Sequence, residues 1–303
     1  LSCAKDIPPR ASVFYWQKGK QGEQMINRWS KSSVLWMIQI LMVICVAGIV
    51  CSACFIFADN RDYARSDIAY KLLRTFAEAS GNSAEKSNAF LYITADASSA
   101  EDQKKYTDEI DFAYLKGINP DVVGWIIAGD TGINYPVAQG SDNEFYLHHL
   151  FTGEENKLGS IFMDYRNKSD FTDKNTVIYG HNMKVGSMFA PLLNYKDQQY
   201  YDNYPSIRLY TIFGDFAVEL FAGIVVDGDY ESVRFNFKDD DLQDYVNLVR
   251  SRSTFTSGTI VNADDRIVTL CTCTYEFDNE GYMLFGVLKP IQSAPGFNDI
   301  DLD

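Results

Sequence analysis

At 303 residues the chain is long enough for one large domain or two small ones, and 46% hydrophobic and 14% aromatic residues supply material for a sizeable core. Its charge is unevenly divided: residues 1–32 carry six basic and two acidic groups, while the remainder holds 21 basic and 39 acidic ones. So acidic a body excludes nucleic acid as a partner, because phosphate binding needs a basic face.

Residues 33–57 contain no charge, and Gln39 is their one strongly polar side chain. A helix of ~20 apolar residues crosses the hydrocarbon core, so this stretch reads as a retained transmembrane anchor; the apolar run of a cleaved signal would be shorter. Basic residues precede it. By the positive-inside rule residues 1–32 then lie in the cytoplasm and everything after residue 57 lies outside, a single-pass topology.

Residues 59–80 set Ile68, Leu72, Leu73 and Phe76 at helical spacing, with Gly81 just past the end. The stretch 80–105, rich in Ser, Ala and charge, reads as a loop or loose helical linker that holds the body off the membrane. A short helix is predicted over 107–116, stopped by Gly117 and followed by Pro120. The resulting division is a cytoplasmic basic segment (1–32), an anchor (33–57), a helical linker region (58–106) and a catalytic domain (107–303).

Beyond Asn119 short apolar runs alternate with Gly, Asn, Asp and Pro clusters. Strands are predicted at 123–128, 134–138, 160–164, 176–179, 207–211, 216–226, 266–273 and 282–288. Eight strands at this spacing suit a closed barrel or sandwich. Helices are predicted at 186–194 and at 238–252, the latter with Leu242, Tyr245, Val246 and Val249 on one face.

Of the six cysteines, Cys3 precedes the anchor, Cys45, Cys51 and Cys54 lie in it, and only Cys271 and Cys273 fall in the body. Two cysteines at i and i+2 on a strand have Cα atoms ~6.5–7 Å apart, at the limit of disulfide geometry, so their thiols are available for chemistry. A nucleophilic thiolate needs a neighbouring group that manages the proton of the leaving amine. The histidines are His148, His149 and His181. His181 follows an apolar run in VIYGHNM, and Cys273 ends the run RIVTLCTC, so each sits at a strand end and the two can meet at one rim. The adjacent His148 and His149 read as structural or surface groups, and Cys271 as a small apolar filler.

The motifs sharpen this pairing. TLCTC at 269–273 resembles the sortase signature whose final Cys is the nucleophile, and IYGHNM at 178–183 resembles the class B form of the sortase histidine motif. NPDVVGWI (119–126), NYPVAQGSDNEFYL (134–147) and GSIFMDYRN (159–167) are similar to class B sortases as well, as is a long helix between the late strands. The resemblance runs from about Phe112 to Leu288. It implies an eight-stranded sortase-type β-barrel with flanking helices, with Cys273 as nucleophile and His181 as acid/base partner. The implied reaction cleaves a C-terminal sorting motif after Thr through a thioacyl enzyme. The protein is then transferred to an amine of a peptidoglycan precursor or cross-bridge, or to a pilin lysine in a polymerising variant. Partners are therefore secreted proteins with a sorting signal and the cell-wall amine of a Gram-positive bacterium. No cofactor or metal is implied, and the sequence has no P-loop, GxGxxG or His/Cys ligand cluster.

One component departs from the family. Sortases carry an Arg on the last strand that stabilises the oxyanion or holds substrate, and residues 274–288 contain none. Aligning EGYMLFGVL with that strand puts Tyr282 at the Arg position; a phenol donates one hydrogen bond and brings no charge. Arg234 is the second candidate, as a substrate-binding cation, and Arg208 and Arg266 are further ones. Thr272 is a candidate substrate contact. A catalytically impaired, sortase-like binding protein is the alternative reading of the missing Arg.

Overall fold

The structure, a computed structural model, describes residues 31–78, 110–227, 233–235, 237, 241–273 and 280–291. It comprises two units, Leu1–Asn60 and Arg61–Asp303. Helix α1 (Lys31–Ala77) contributes to both, and the two helices expected at 33–57 and 59–80 are one, since neither Gly nor Pro interrupts residues 49–77. In the first unit its apolar side chains, Leu35 and Trp36 through Phe55 and Phe57, are exposed. Among the described residues this is the one helix long and apolar enough to cross a membrane.

In the second unit, α1 docks on the body. Tyr70, Leu73 and Ala77 are buried in the main core. The Tyr70 hydroxyl donates to the Gly159 carbonyl (2.9 Å), and Arg74 Nε donates to the Asn134 carbonyl (3.1 Å) with its guanidinium over the Tyr135 ring. Asn134 ties the helix end to the first strand pair, giving Nδ2 to Glu78 and receiving the Trp125 indole N–H on Oδ1. Residues 61–78, read from sequence as the start of a linker region, thus belong to the packed body; 79–109 lie outside the described residues. Helix α2 (Phe112–Ile118) begins later than predicted because Asp111 caps it, accepting from Tyr114 N, and it runs through Gly117 to close on Asn119.

Eight strands close a barrel: β1 (Val122–Ile127), β2 (Asn134–Ala138), β3 (Ile161–Met163), β4 (Asn175–His181), β5 (Ser206–Thr211), β6 (Gly214–Asp227), β7 (Ile267–Cys273) and β8 (Glu280–Pro290), in the order β1-β2-β3-β4-β7-β8-β6-β5. All eight predicted strands are present. Two neighbouring pairs, β2–β3 and β4–β7, are parallel and need crossovers. The β2–β3 crossover holds helix α3 (Phe145–His148), a single turn that shows no periodicity in the sequence. The predicted helix at 186–194 is displaced: Gly186 sits at φ +81° in a turn, and a 3-10 helix (Ala190–Lys196) is followed by α4 (Gln198–Asn203), capped by Asp197.

Strands β7 and β8 are buried on both faces, which explains their near-continuous apolar sequence. Val268, Leu270, Tyr282 and Leu284 point into the main core. Ile267, Cys271, Met283, Phe285 and Val287 form a second core under helix α5 (Asp241–Ser251), whose Leu242, Tyr245, Val246 and Val249 cover them.

Gly180 is a packing requirement. A Cβ there would lie 2.4 Å from Ile161 Cδ1 and 2.8 Å from the Phe189 ring. Gly180→Ala is expected to overpack this core and lower stability by about 1–3 kcal/mol. The check is the urea midpoint at unchanged m-value.

Candidate active site

Strands β4 and β7 pair residue for residue from Asn175↔Ile267 to His181↔Cys273. Neighbouring strands lie about 4.8 Å apart, and residues level in a parallel pair share a face. Val177 and Cys271 belong to the second core and Tyr179 packs against it, so positions 177, 179 and 181 of β4 share a face with 271 and 273 of β7. Helix α5 packs on that face as far as Cys271. One strand step further, at the C-terminal ends of both strands, come His181 and Cys273.

The His181 ring is 8% exposed, and its Nε2 lies 2.8 Å from the Leu147 carbonyl oxygen in α3. A carbonyl only accepts, so this hydrogen bond assigns the proton to Nε2 and leaves Nδ1 as the basic nitrogen of the neutral ring. The contact explains why α3 sits where it does: it delivers a main-chain acceptor to the end of β4. On the other side of His181 the chain turns back, with Phe189 N donating to the His181 carbonyl (2.9 Å) and Met188 held at φ +59° by a bond from its N–H to the Tyr135 hydroxyl.

A buried carboxylate is tied to β4 four residues before His181. Asp164 follows β3, has no exposed surface, and donates its N–H to the Val177 carbonyl of β4. Its Oδ1 accepts from Arg166 N and Nε; its Oδ2 accepts from Arg166 Nη2 (2.8 Å), Asn143 Nδ2 (2.9 Å) and the Tyr179 hydroxyl (3.0 Å). The Arg166 guanidinium lies 4.0 Å over the Phe235 ring. Burial by itself raises the Asp164 carboxyl, but the Arg166 side-chain and backbone bonds and the Asn143 bond outweigh it and hold its pKa below the usual carboxylate value. Burial, reinforced by Cys271 and Asp164, pushes the Tyr179 phenol well above its ordinary range.

The other sequence candidates are distributed differently. Tyr282 is buried in the main core, and its hydroxyl meets Thr254 Oγ1 at 2.7 Å. The register Cys271↔Met283 and the bond from Tyr282 N to Thr272 Oγ1 set Tyr282 opposite Thr272. It therefore shares the core face of the strand, and the position level with Cys273 is Gly281. Strand parity turns its phenol toward the main core, away from the face that carries His181. Thr272 is fully buried, and its hydroxyl accepts from Tyr282 N of β8.

Arg234 accepts Asn175 Nδ2 on its carbonyl and places its cation over Tyr245; Asn175 begins β4, about 20 Å along the strand from His181. Arg266 precedes β7 and binds the Phe171 carbonyl, and Arg208 lies on β5, which pairs with β1 and β6. His149 stacks on Phe145 and bonds its carbonyl through Nδ1, while His148 is exposed. Cys271 is a fully buried thiol. Among the described residues no group of three or more His, Cys, Asp or Glu side chains is arranged to hold a metal. Sequence reasoning missed Leu147, Asn143, Asp164 and Tyr179. The spacing of Asp164 and Arg166 in MDYRN was the available signal, because a carboxylate and an arginine two residues apart in a turn can form a fork.

Two outcomes follow. Tyr282→Phe removes one buried hydrogen bond and is expected to cost about 1 kcal/mol of stability, read from the urea midpoint. For Asp164 the folded pKa is depressed, so its contribution is complete above the unfolded value of about 3.9 and is lost as pH falls through the lower folded value. The acid limb of a stability–pH curve should accordingly be shallower in Asp164→Asn than in the wild type, though the variant is less stable at neutral pH.

No protein-family model matches the chain. It is 40% identical over 194 residues to sortase B of Listeria monocytogenes, covering 64% of this chain and 78% of that protein. The crystal structure of B. anthracis sortase B in complex with AAEK1 superimposes with a TM-score of 0.63 at 28% identity, over 76% of this chain and 99% of that one. A Staphylococcus aureus sortase B–substrate complex gives a TM-score of 0.57 at 32% identity, over 59% and 85%. Sequence, barrel topology and these relatives agree, and the chain belongs to the class B sortases, a family of transpeptidases.

Proposed function

We propose that this chain is a single-pass membrane transpeptidase that uses Cys273 as nucleophile and His181 as acid and base. The observation that carries the reading is the in-register pairing of these two residues on one face, at the ends of adjacent parallel strands. With Nε2 engaged by Leu147, Nδ1 is the nitrogen that exchanges protons. The Cys273 proton passes to the imidazole, and the thiolate attacks the carbonyl carbon of the Thr in a C-terminal sorting motif. As the C–N bond breaks, the imidazolium returns its proton to the leaving amine, and a thioester remains on Cys273. An acceptor amine then attacks the thioester and loses a proton to His181. The new amide leaves and the thiol is restored. Every bond and proton is accounted for without a cofactor.

Substrate class and acceptor follow from the family. A Staphylococcus aureus relative has been solved with its substrate, which supports a sorting-signal protein as the first partner. The second is a peptidoglycan precursor or cross-bridge amine, with a pilin lysine as the variant acceptor. The apolar stretch of α1 suits an anchor, and the basic residues before it favour a cytoplasmic N-terminus, with residues 107–303 as the catalytic part outside. A second reading, a sorting-motif binding protein with impaired catalysis, rests on the absence of Arg from residues 274–288.

The test uses the full chain in detergent with a panel of sorting-motif peptides and an amine acceptor. A covalent adduct on Cys273, identified by mass spectrometry, is expected for one motif. Cys273→Ala should abolish it, and His181→Ala should slow it on the order of 10²–10⁴-fold. Tight peptide binding with no adduct for any motif would instead establish the binding protein.

A further inference from the structure

The imidazole of His181 takes its orientation from two elements, strand β4, which carries it, and helix α3, whose Leu147 carbonyl receives its Nε2 proton. Helix α3 is four residues long. A single turn has no stability of its own, so the position of that carbonyl depends on what fixes the turn from outside. Its C-terminal side is fixed by main-chain bonds from Ser160 N to Tyr146 and from Asn156 N to His148. On its N-terminal side, Asp142 caps Glu144 and Phe145, and Asn143 reaches outward. Asn143 Oδ1 receives Tyr165 N and its Nδ2 goes to Asp164.

The same oxygen of Asp164 that receives Asn143 receives the Tyr179 hydroxyl. Tyr179 is two residues before His181 on the same face of β4. We infer that Asp164 is a positioning residue for His181: one carboxylate ties the strand that carries the imidazole to the turn that supplies its acceptor. The inference rests on His181 being the acid/base group only for its consequence on rate; the geometric claim stands independently.

The chemistry of the hub explains the residue type. Five donors converge on the two oxygens, and a carboxylate is the side chain that accepts throughout. An amide at this position would turn an N–H toward at least one of them. The Arg166 fork supplies the balancing charge, so the pair is neutral and acts on His181 through position rather than through a field. Phe235, over which the guanidinium lies, packs on the second core and keeps the fork in place.

The experiment reads the ring directly. Full chain labelled with 15N-histidine, in detergent micelles, contains three imidazoles, and a His181→Gln sample assigns the one of interest. Wild type should show His181 as the Nε2–H tautomer when neutral. Asp164→Asn should shift its nitrogens toward the average of two tautomers and lower the kcat for peptide cleavage tenfold to a hundredfold, the order that misplacement of a catalytic group costs. Asp164→Glu, which keeps the acceptors, should restore part of both. If Asp164→Asn does not fold, Tyr179→Phe, which removes only the phenol tie, must produce the same movement of the nitrogen signals. Unchanged His181 signals in whichever of these variants folds would overturn the inference. Altered signals with unaltered turnover would uphold the positioning and instead refute His181 as the acid/base group.

Discussion

The structure turns on the parallel pairing of β4 with β7. Of the other pairs only β1–β5 joins strands comparably far apart in the chain, and it is antiparallel. The β4–β7 pair joins two strands about 90 residues apart in sequence, and it sets them level to the last residue of each. A slip of one residue would invert the alternation, turning the His181 position toward the main core and Thr272 outward. The register is defended by what lies beneath it. Gly180 leaves room only for Ile161 and Phe189, and Asn175 bonds Thr269 across the pair at the other end. Helix α5 and the main core bury both faces between them. The site is the point at which a doubly covered sheet runs out of cover.

Polar groups complete what packing begins. The barrel brings the positions of His181 and Cys273 level at one rim, but a sheet edge does not orient an imidazole. That falls to main-chain and carboxylate acceptors in the β2–β3 crossover and the turn after β3, which converge on the end of β4. Loops of this kind are held by their own hydrogen bonds to the scaffold, as Tyr146 shows by bonding Asn119 and Asp121 at the start of β1. The same logic explains the docking of α1 residues 61–77: Arg74, Asn134 and Trp125 form one chain of donors and acceptors that fixes the helix to the first hairpin.

Much of this was legible in the amino acids. Strands alternate apolar and polar residues or run apolar between Gly and Asn clusters, so eight segments could be named, and TLCTC with YGHNM pointed to Cys273 and His181. The level of Tyr282 could not be read because the segment between β7 and β8 has no fixed length in a sequence. Moving the strand by one residue changes which side chain is level with Cys273, and only the observed pairing of Cys271 with Met283 decides it. Helix α3 escaped notice since one turn of helix has no period to detect. Asp164 was counted as the end of a strand, and nothing in a linear pattern reveals that five donors from three separate segments converge on it.

The late arrival of β7 also has a kinetic side. Synthesis proceeds from the N-terminus, and domains fold as their parts emerge. Strands β1 to β4 can pair among themselves early, but the partner of β4 is made nearly last, and long-range parallel pairing is intrinsically slow. Until then β4 presents an unpaired edge of buried-type residues, and the position of Cys273 is not level with that of His181. A chain interrupted or unfolded before barrel closure therefore lacks the strand pairing on which the proposed dyad rests. Under the proposed mechanism, thiol reactivity is a property of the finished topology and would report on folding as directly as any spectroscopic probe.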